Sequence, residues 1–276
     1  MFLVSSVFAQ TKKLSQEERF EKIKDKITER QNPTFGEKSV VLRLDSTLHS
    51  YYDDWDSIWF TNQKTEYSYT SIGLIQEEIS GDLYNNVWTP YWKKTYSYTP
   101  NNVLTDIVSF WWDYNTNGWM NNYKQVYTHN ALGQNTEIVH HYWNDSLSVW
   151  DNDYKEKYTY NSFGNWDSVY MYSWDHSANN WLLEMRAKVN YNSNQTMSNA
   201  IVQYWTGVIW MSVFKIEWAY DANSFLISET ESEFDIQTLS FIPSYRSLYT
   251  NNSSGHVLIE EGQYYDINAW VSNYKN

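Results

Sequence analysis

No cysteine occurs in the 276-residue chain, which removes disulfide staples, thiolate zinc sites and thiol nucleophiles together. Glycine and proline are scarce, at 9 and 4, so the chain is neither collagen-like nor a low-complexity disordered segment. Positive charge is outnumbered: 20 Lys and Arg against 33 Asp and Glu leave a net charge of -13. Phosphate-rich partners need a basic face, so no nucleic-acid or anionic-lipid partner is expected. No apolar run approaches the roughly 20 residues of a membrane-spanning helix, and no membrane insertion is expected. What the chain has in abundance is rings, with 16 Trp, 25 Tyr and 11 Phe. Its stability has to come from packing aromatic surface.

Three parts are legible along the chain. Residues 1–9 (MFLVSSVFA) form a short apolar run ending in a small residue before Gln10, the pattern of a signal-peptide core and cleavage site without its usual basic start. They predict a secreted or cell-surface protein. Residues 10–38 are a charged leader in which Ser15 and Glu18 have capping-box spacing and Phe20, Ile23 and Ile27 recur at helical spacing. A short amphipathic helix is expected there, ended by Asn32-Pro33 and joined through Gly36 to the first strand. Its narrow apolar stripe suits a helix that caps an open end of a sheet. Residues 39–276 are a repeat array.

The repeat is set by a leading aromatic, counted as position 0: Trp59, Trp88, Trp119, Trp150, Trp181, Trp210, Phe241 and Trp270, at intervals of 29 or 31 residues. Five residues after each leader stands a cation: Lys64, Lys93, Lys124, Lys155, Arg186, Lys215, Arg246 and Lys275. Positions 8 and 10 carry further aromatics in most units, such as Tyr67 and Tyr69 or Trp218 and Tyr220, and the other units keep one of the pair. Position 24 is a large apolar residue in every repeat, from Leu83 and Trp112 to Tyr265. All length variation lies between position 24 and the next leader, and it is always two residues. A two-residue change preserves side-chain facing in a β-strand, whereas a one-residue change reverses it.

Turns such as Asn130-Ala131-Leu132-Gly133 and Asn161-Ser162-Phe163-Gly164 begin with Asn and end with Gly, which suits a short hairpin loop. The expected fold is therefore all-β: an antiparallel meander of about seven hairpin repeats, about fifteen strands, forming an elongated or curling sheet behind a short N-terminal helix. Simple alternation puts positions 0, 8 and 10 on one face and the cation at position 5 on the other. On that expectation leader and cation form no common site, and the cation keeps a wet face soluble with its stem over neighbouring Tyr rings. Tyr52 stands before Trp59 as a position-24 residue does, so the array begins and ends in mid-hairpin. The natural protein is expected to continue past Asn276.

The pattern K-x-x-Y-x-Y-x-x-x-G, seen from Lys64 to Gly73 and from Lys155 to Gly164, resembles the YD-repeat family and is similar to Trp/Tyr-rich repeats of secreted Bacteroidetes proteins. The resemblance covers residues 40–276, with a longer period and a single literal YD at Tyr220-Asp221. It implies hairpins that form strips or shells of sheet carrying other modules, exported with a C-terminal sorting domain.

Chemistry is sparse. Asp113 to Gly118 opens like a calcium loop, but its twelfth position is Lys124 where a bidentate Glu is required, so Asp113, Asp175, Asp235 and Asp266 read as turn closers and no metal or cofactor is expected. Glu137, His140 and His141 do not converge, because adjacent strand residues point to opposite faces. The expected role is a non-enzymatic extracellular or cell-surface scaffold, adhesin-like. The alternative is a carbohydrate-binding repeat module, and a third reading is part of a larger exported toxin or hydrolase. Rings outside the repeat columns, Tyr114, Tyr142, Trp166 and Tyr172, are the candidate binding residues, with glycans or other surface proteins as partners. The open sheet edges offer a route to self-association.

Overall fold

A computed structural model describes residues 16–29, 44–53, 58–84 and 87–276. Residues 1–9, read above as a signal-peptide core, and Ser15, Asn32-Pro33 and Gly36 lie outside them. Sixteen strands pair in chain order in one antiparallel meander, the all-β architecture the repeat predicts. The count exceeds fifteen because the half-hairpins at both ends of the array each form a strand.

The chain divides into two compact units with their boundary inside one strand. The first holds β1 (Ser46–Asp53), β2 (Ile58–Tyr69), β3 (Ile75–Tyr84), β4 (Val87–Tyr98), β5 (Leu104–Asp113), β6 (Gly118–His129), β7 (Asn135–Asn144) and β8 (Val149–Tyr160) as far as Lys155. The second holds the helix α1 (Gln16–Glu29), the rest of β8, β9 (Trp166–Asp175), β10 (Asn180–Tyr191), β11 (Met197–Trp205), β12 (Trp210–Tyr220), β13 (Leu226–Asp235), β14 (Ser240–Asn251), β15 (Val257–Asp266) and β16 (Ala269–Lys275).

The face assignment read from simple alternation is overturned by a recurrent β-bulge. Trp181 lies opposite Trp174 and Leu183 opposite Tyr172, but Met185 lies opposite Met171, leaving Glu184 without a counterpart. The same slip falls at Asn62, Tyr91, Asn122, Val213, Ser244 and Asn273, in each case three residues after the leader. One extra residue reverses the facing of everything after it. Leader and cation therefore share a face, with the position-24 residue beside them. Positions 4, 6 and 8 occupy the opposite face. A second slip, seventeen residues after the leader, recurs at Gln76, Thr105, Thr136, Ser198, Ile227 and Leu258 on the return strand.

The turns behave as their residues dictate. Gly133 and Gly164 adopt φ of 77° and 81°, the left-handed region that closes each loop, while the Asn130 and Asn161 side chains accept backbone N–H bonds from Leu132 and Phe163. Asp113, Asp175 and Asp235 each accept the backbone N–H two residues on. Where the connection is two residues shorter, as at Ile267 and Asn268, both carry positive φ, the two-residue hairpin turn that matches strand twist. Position 10 ties each hairpin to the one before: the Tyr98 hydroxyl donates to Ile75 O and the Tyr191 hydroxyl to Trp166 O, each at 2.7 Å. Asn251, which replaces Tyr in this column, donates to Leu226 O in the same way.

The helix forms where its spacing predicts, but it does not cap an end of the sheet. It lies on the face of the second unit across β10 to β13. Arg19 Nη1 stands 2.5 Å from Glu184 Oε2, and Lys24 Nζ 2.8 Å from Glu231 Oε2. The Phe20 ring meets Phe214 edge-on at 5.8 Å and Tyr204 at 6.4 Å, and Ile23 is fully buried. The same strands bury Met185, Ala187, Val202 and Ile216. The side of α1 that carries the cations is held by acids on these strands, a pairing that no local rule specifies.

Candidate functional site

The most regular residues of the chain are engaged with one another. Across the inter-repeat turns from Trp112 onward the position-24 ring meets the next leader: Trp112 and Trp119 at 5.0 Å, Trp174 and Trp181 at 4.9 Å, Phe234 and Phe241 at 5.2 Å, all near edge-to-face. The cation of one repeat lies over the leader of the following one, as with Lys93 over Trp119 at 5.1 Å, Arg186 over Trp210 at 4.3 Å and Arg246 over Trp270 at 4.4 Å. This corrects the placement of the cation stems over Tyr rings. Acids at position 18 complete the arrangement, with Lys93 paired to Glu77, Lys124 to Asp106 and Lys155 to Glu137 at 3.5–3.8 Å. An edge-to-face ring pair contributes about 0.5–1.5 kcal/mol beyond burial, and a cation over a ring about 0.5–2 kcal/mol. Within each unit these columns form a structural ladder on one face.

The four candidate aromatics do not come together. Tyr114 is exposed in the turn between β5 and β6. Trp166 is buried, its ring 5.2 Å from that of Tyr158, and offers no free face to a ligand. Tyr172 stands on the ladder face of β9, opposite Leu183, with Lys157 Nζ 6.0 Å from its ring. Tyr142 lines a cavity.

That cavity, of about 280 Å³, lies in the first unit on the face opposite the ladder. Trp92 and Tyr123 at position 4, Tyr142 at position 23 and Ile107 supply its apolar wall. Polar groups border it: Asn122 and Asp153 at bulge positions, Lys94 and Gln125 at position 6, and Ser109. Several are fixed by neighbours. Lys94 pairs with Glu78 at 3.7 Å, and Glu78 also accepts the Tyr96 hydroxyl at 2.8 Å; burial and that carboxylate push the Tyr96 phenol up. Ser109 Oγ donates to Tyr123 O, and Tyr127 donates to Gln125 Oε1. Burial, and then Asp151, raise the Tyr142 phenol, which keeps it a neutral hydrogen-bond donor.

Trp92, Asn122, Tyr123, Gln125 and Asp153 were missed by sequence reasoning, which sought rings outside the repeat columns. The signal was inside them. Positions 4 and 6 read Trp92 and Lys94 in β4 and Tyr123 and Gln125 in β6, but Met185 and Ala187 in β10 and Phe214 and Ile216 in β12.

His140 and His141 point to opposite faces as expected. The His140 ring stacks on Tyr154 at 3.9 Å, whereas burial and then Lys124 and His140 lower the pKa of His141. Among the described residues no group of three His, Cys, Asp or Glu is placed to hold a metal ion. Ser109, the hydroxyl in the cavity, donates to a backbone carbonyl and not to a base.

No family model and no curated protein matches the chain. Solved structures do align with it. A protein of unknown function from Bacteroides fragilis aligns over 45% of this chain and 91% of its own at 19% identity, with a TM-score of 0.40. A DUF3836 family protein from Bacteroides vulgatus covers 44% of this chain and 90% of its own at 18% identity and a TM-score of 0.25. A porin-like protein from Bacteroides uniformis covers 83% and 92% at 9% identity and a TM-score of 0.39.

Proposed function

We propose that the chain is a non-enzymatic extracellular or cell-surface scaffold of adhesin-like type, in which the repeat array is the working part. The observation that carries the reading is the ladder. Leader, cation and position-24 residue, joined in the first three repeats by the position-18 acids Glu77, Asp106 and Glu137, engage neighbouring repeats, so these regular residues serve the continuity of the sheet and not a repeated reactive centre. The apolar run at residues 1–9 supports export. The YD-repeat resemblance, with its hairpin strips that carry other modules, points the same way.

The test is surface accessibility on intact source cells. An antibody raised against the exposed turn around Leu132 is expected to label unlysed cells, and external protease to remove the signal. Labelling that appears only after lysis would overturn the reading.

A further inference from the structure

We propose that the cavity bordered by Trp92, Tyr123 and Tyr142 binds one ring of a neutral saccharide, a ligand class that deepens the scaffold reading and rests on it. The argument begins from a comparison of the two units. In β10 to β12 of the second, positions 4 and 6 and their return-strand neighbours include Met185, Ala187, Ala200, Val202 and Ile216, all buried. That stretch is a dry core. In the first unit the corresponding columns carry Trp92, Lys94, Tyr123, Gln125, Ile107 and Ser109, and they border a cavity. Polar side chains beside such a space present hydrogen-bonding groups to whatever fills it. Facing a hydroxylated ligand, they are matched.

The chemistry of the walls selects the ligand. Broad ring faces meet the C–H faces of a pyranose, and amide and hydroxyl groups at the border meet its hydroxyls. Size limits the occupant: at about 280 Å³ the cavity lies just under the roughly 300–1,000 Å³ of sites that take drug-sized ligands, which leaves room for one sugar ring with the rest of a chain outside. Charge excludes an anion. Of the two charged side chains in the wall, Lys94 is paired with Glu78 and Asp153 is itself an acid, so an anionic ligand finds no excess of positive charge, and spermine tests whether the acid draws a cation instead.

The experiment titrates the full chain with cellotetraose, mannotetraose and chitotetraose, and with tetragalacturonate and spermine as charged probes, followed by calorimetry and tryptophan fluorescence. At least one neutral saccharide is expected to saturate with a Kd below about 1 mM. Tyr142→Ala is expected to weaken it at least about tenfold while Lys157→Ala, on the ladder face, leaves it unchanged. Because Tyr142→Ala could loosen the wall, Asn122→Trp serves as a second variant that fills the cavity, with folding checked by the unfolding midpoint. Saturation by charged probes alone, no neutral saccharide bound, or binding retained in both cavity variants would overturn the proposal. None of these results bears on surface accessibility, so the scaffold reading stands or falls separately.

Discussion

At the scale of single residues, the cation five positions after each leader joins two repeats. Arg186 lies over Trp210 and donates from Nε to Gln203 at 2.8 Å, so its side chain is held on two sides. Arg186→Ala is expected to cost about 1–2 kcal/mol from the lost ring contact and hydrogen bond, with Arg186→Lys recovering part of it, measured by urea unfolding. Glu229 behaves differently. Burial raises its carboxyl above the ordinary range, opposed by the Trp218 Nε1–H bond at 2.6 Å and reinforced by Glu231. The folded chain therefore holds this proton more tightly than the unfolded chain does. Its contribution to stability is complete below the ordinary value of 4.5 and is lost as pH rises through the raised one. Glu229→Gln keeps an acceptor for Trp218 and removes the ionisation. The variant should match the parent at about pH 4 and exceed it increasingly towards neutrality; a pH-independent difference in unfolding midpoint would contradict this.

At the scale of elements, the bulge is the device that makes the ladder possible. Deleting Val213 removes one residue between Trp210 and Lys215, so that leader and cation can no longer share a face without shifting register. Loss of cooperative unfolding is expected, read by near-ultraviolet circular dichroism. A two-residue shortening of a turn should be tolerated, because the chain itself uses both lengths. Replacing Tyr114–Asn117 by Asn-Gly converts a four-residue connection to the two-residue kind seen at Ile267 and Asn268. A stability within about 1 kcal/mol of the parent is expected from chemical unfolding.

At the scale of the whole molecule, each unit has its own core arrangement. The second is closed on one face by α1, and Ile23 is among its most deeply buried side chains. Ile23→Ala should cost about 2–4 kcal/mol, and hydrogen exchange should show the loss of protection in β10 to β13. The first unit carries polar and aromatic side chains in the same columns, and there the cavity forms. Each unit can thus keep the same kind of ladder contacts while positions 4 and 6, which take no part in them, line core in β10 and β12 and a cavity in β4 and β6.

The sequence by itself determined the repeat, its strand parity, the two turn types and the helix, because each follows from periodicity or from local backbone preference. Gly133 needs positive φ whatever lies around it, and an even insertion preserves facing in any sheet. Tertiary structure decided the faces. The bulge residues are Asn62, Tyr91, Asn122, Glu184, Val213, Ser244 and Asn273, and since Tyr and Val serve there as well as Asn, no single residue type announces the slip that brings leader and cation together. It also decided where α1 lies, since Arg19 and Glu184 meet across 165 residues of chain. The cavity belongs to the same class of fact: Trp92 and Tyr142 are 50 positions apart in sequence, and only strand pairing puts them around one space.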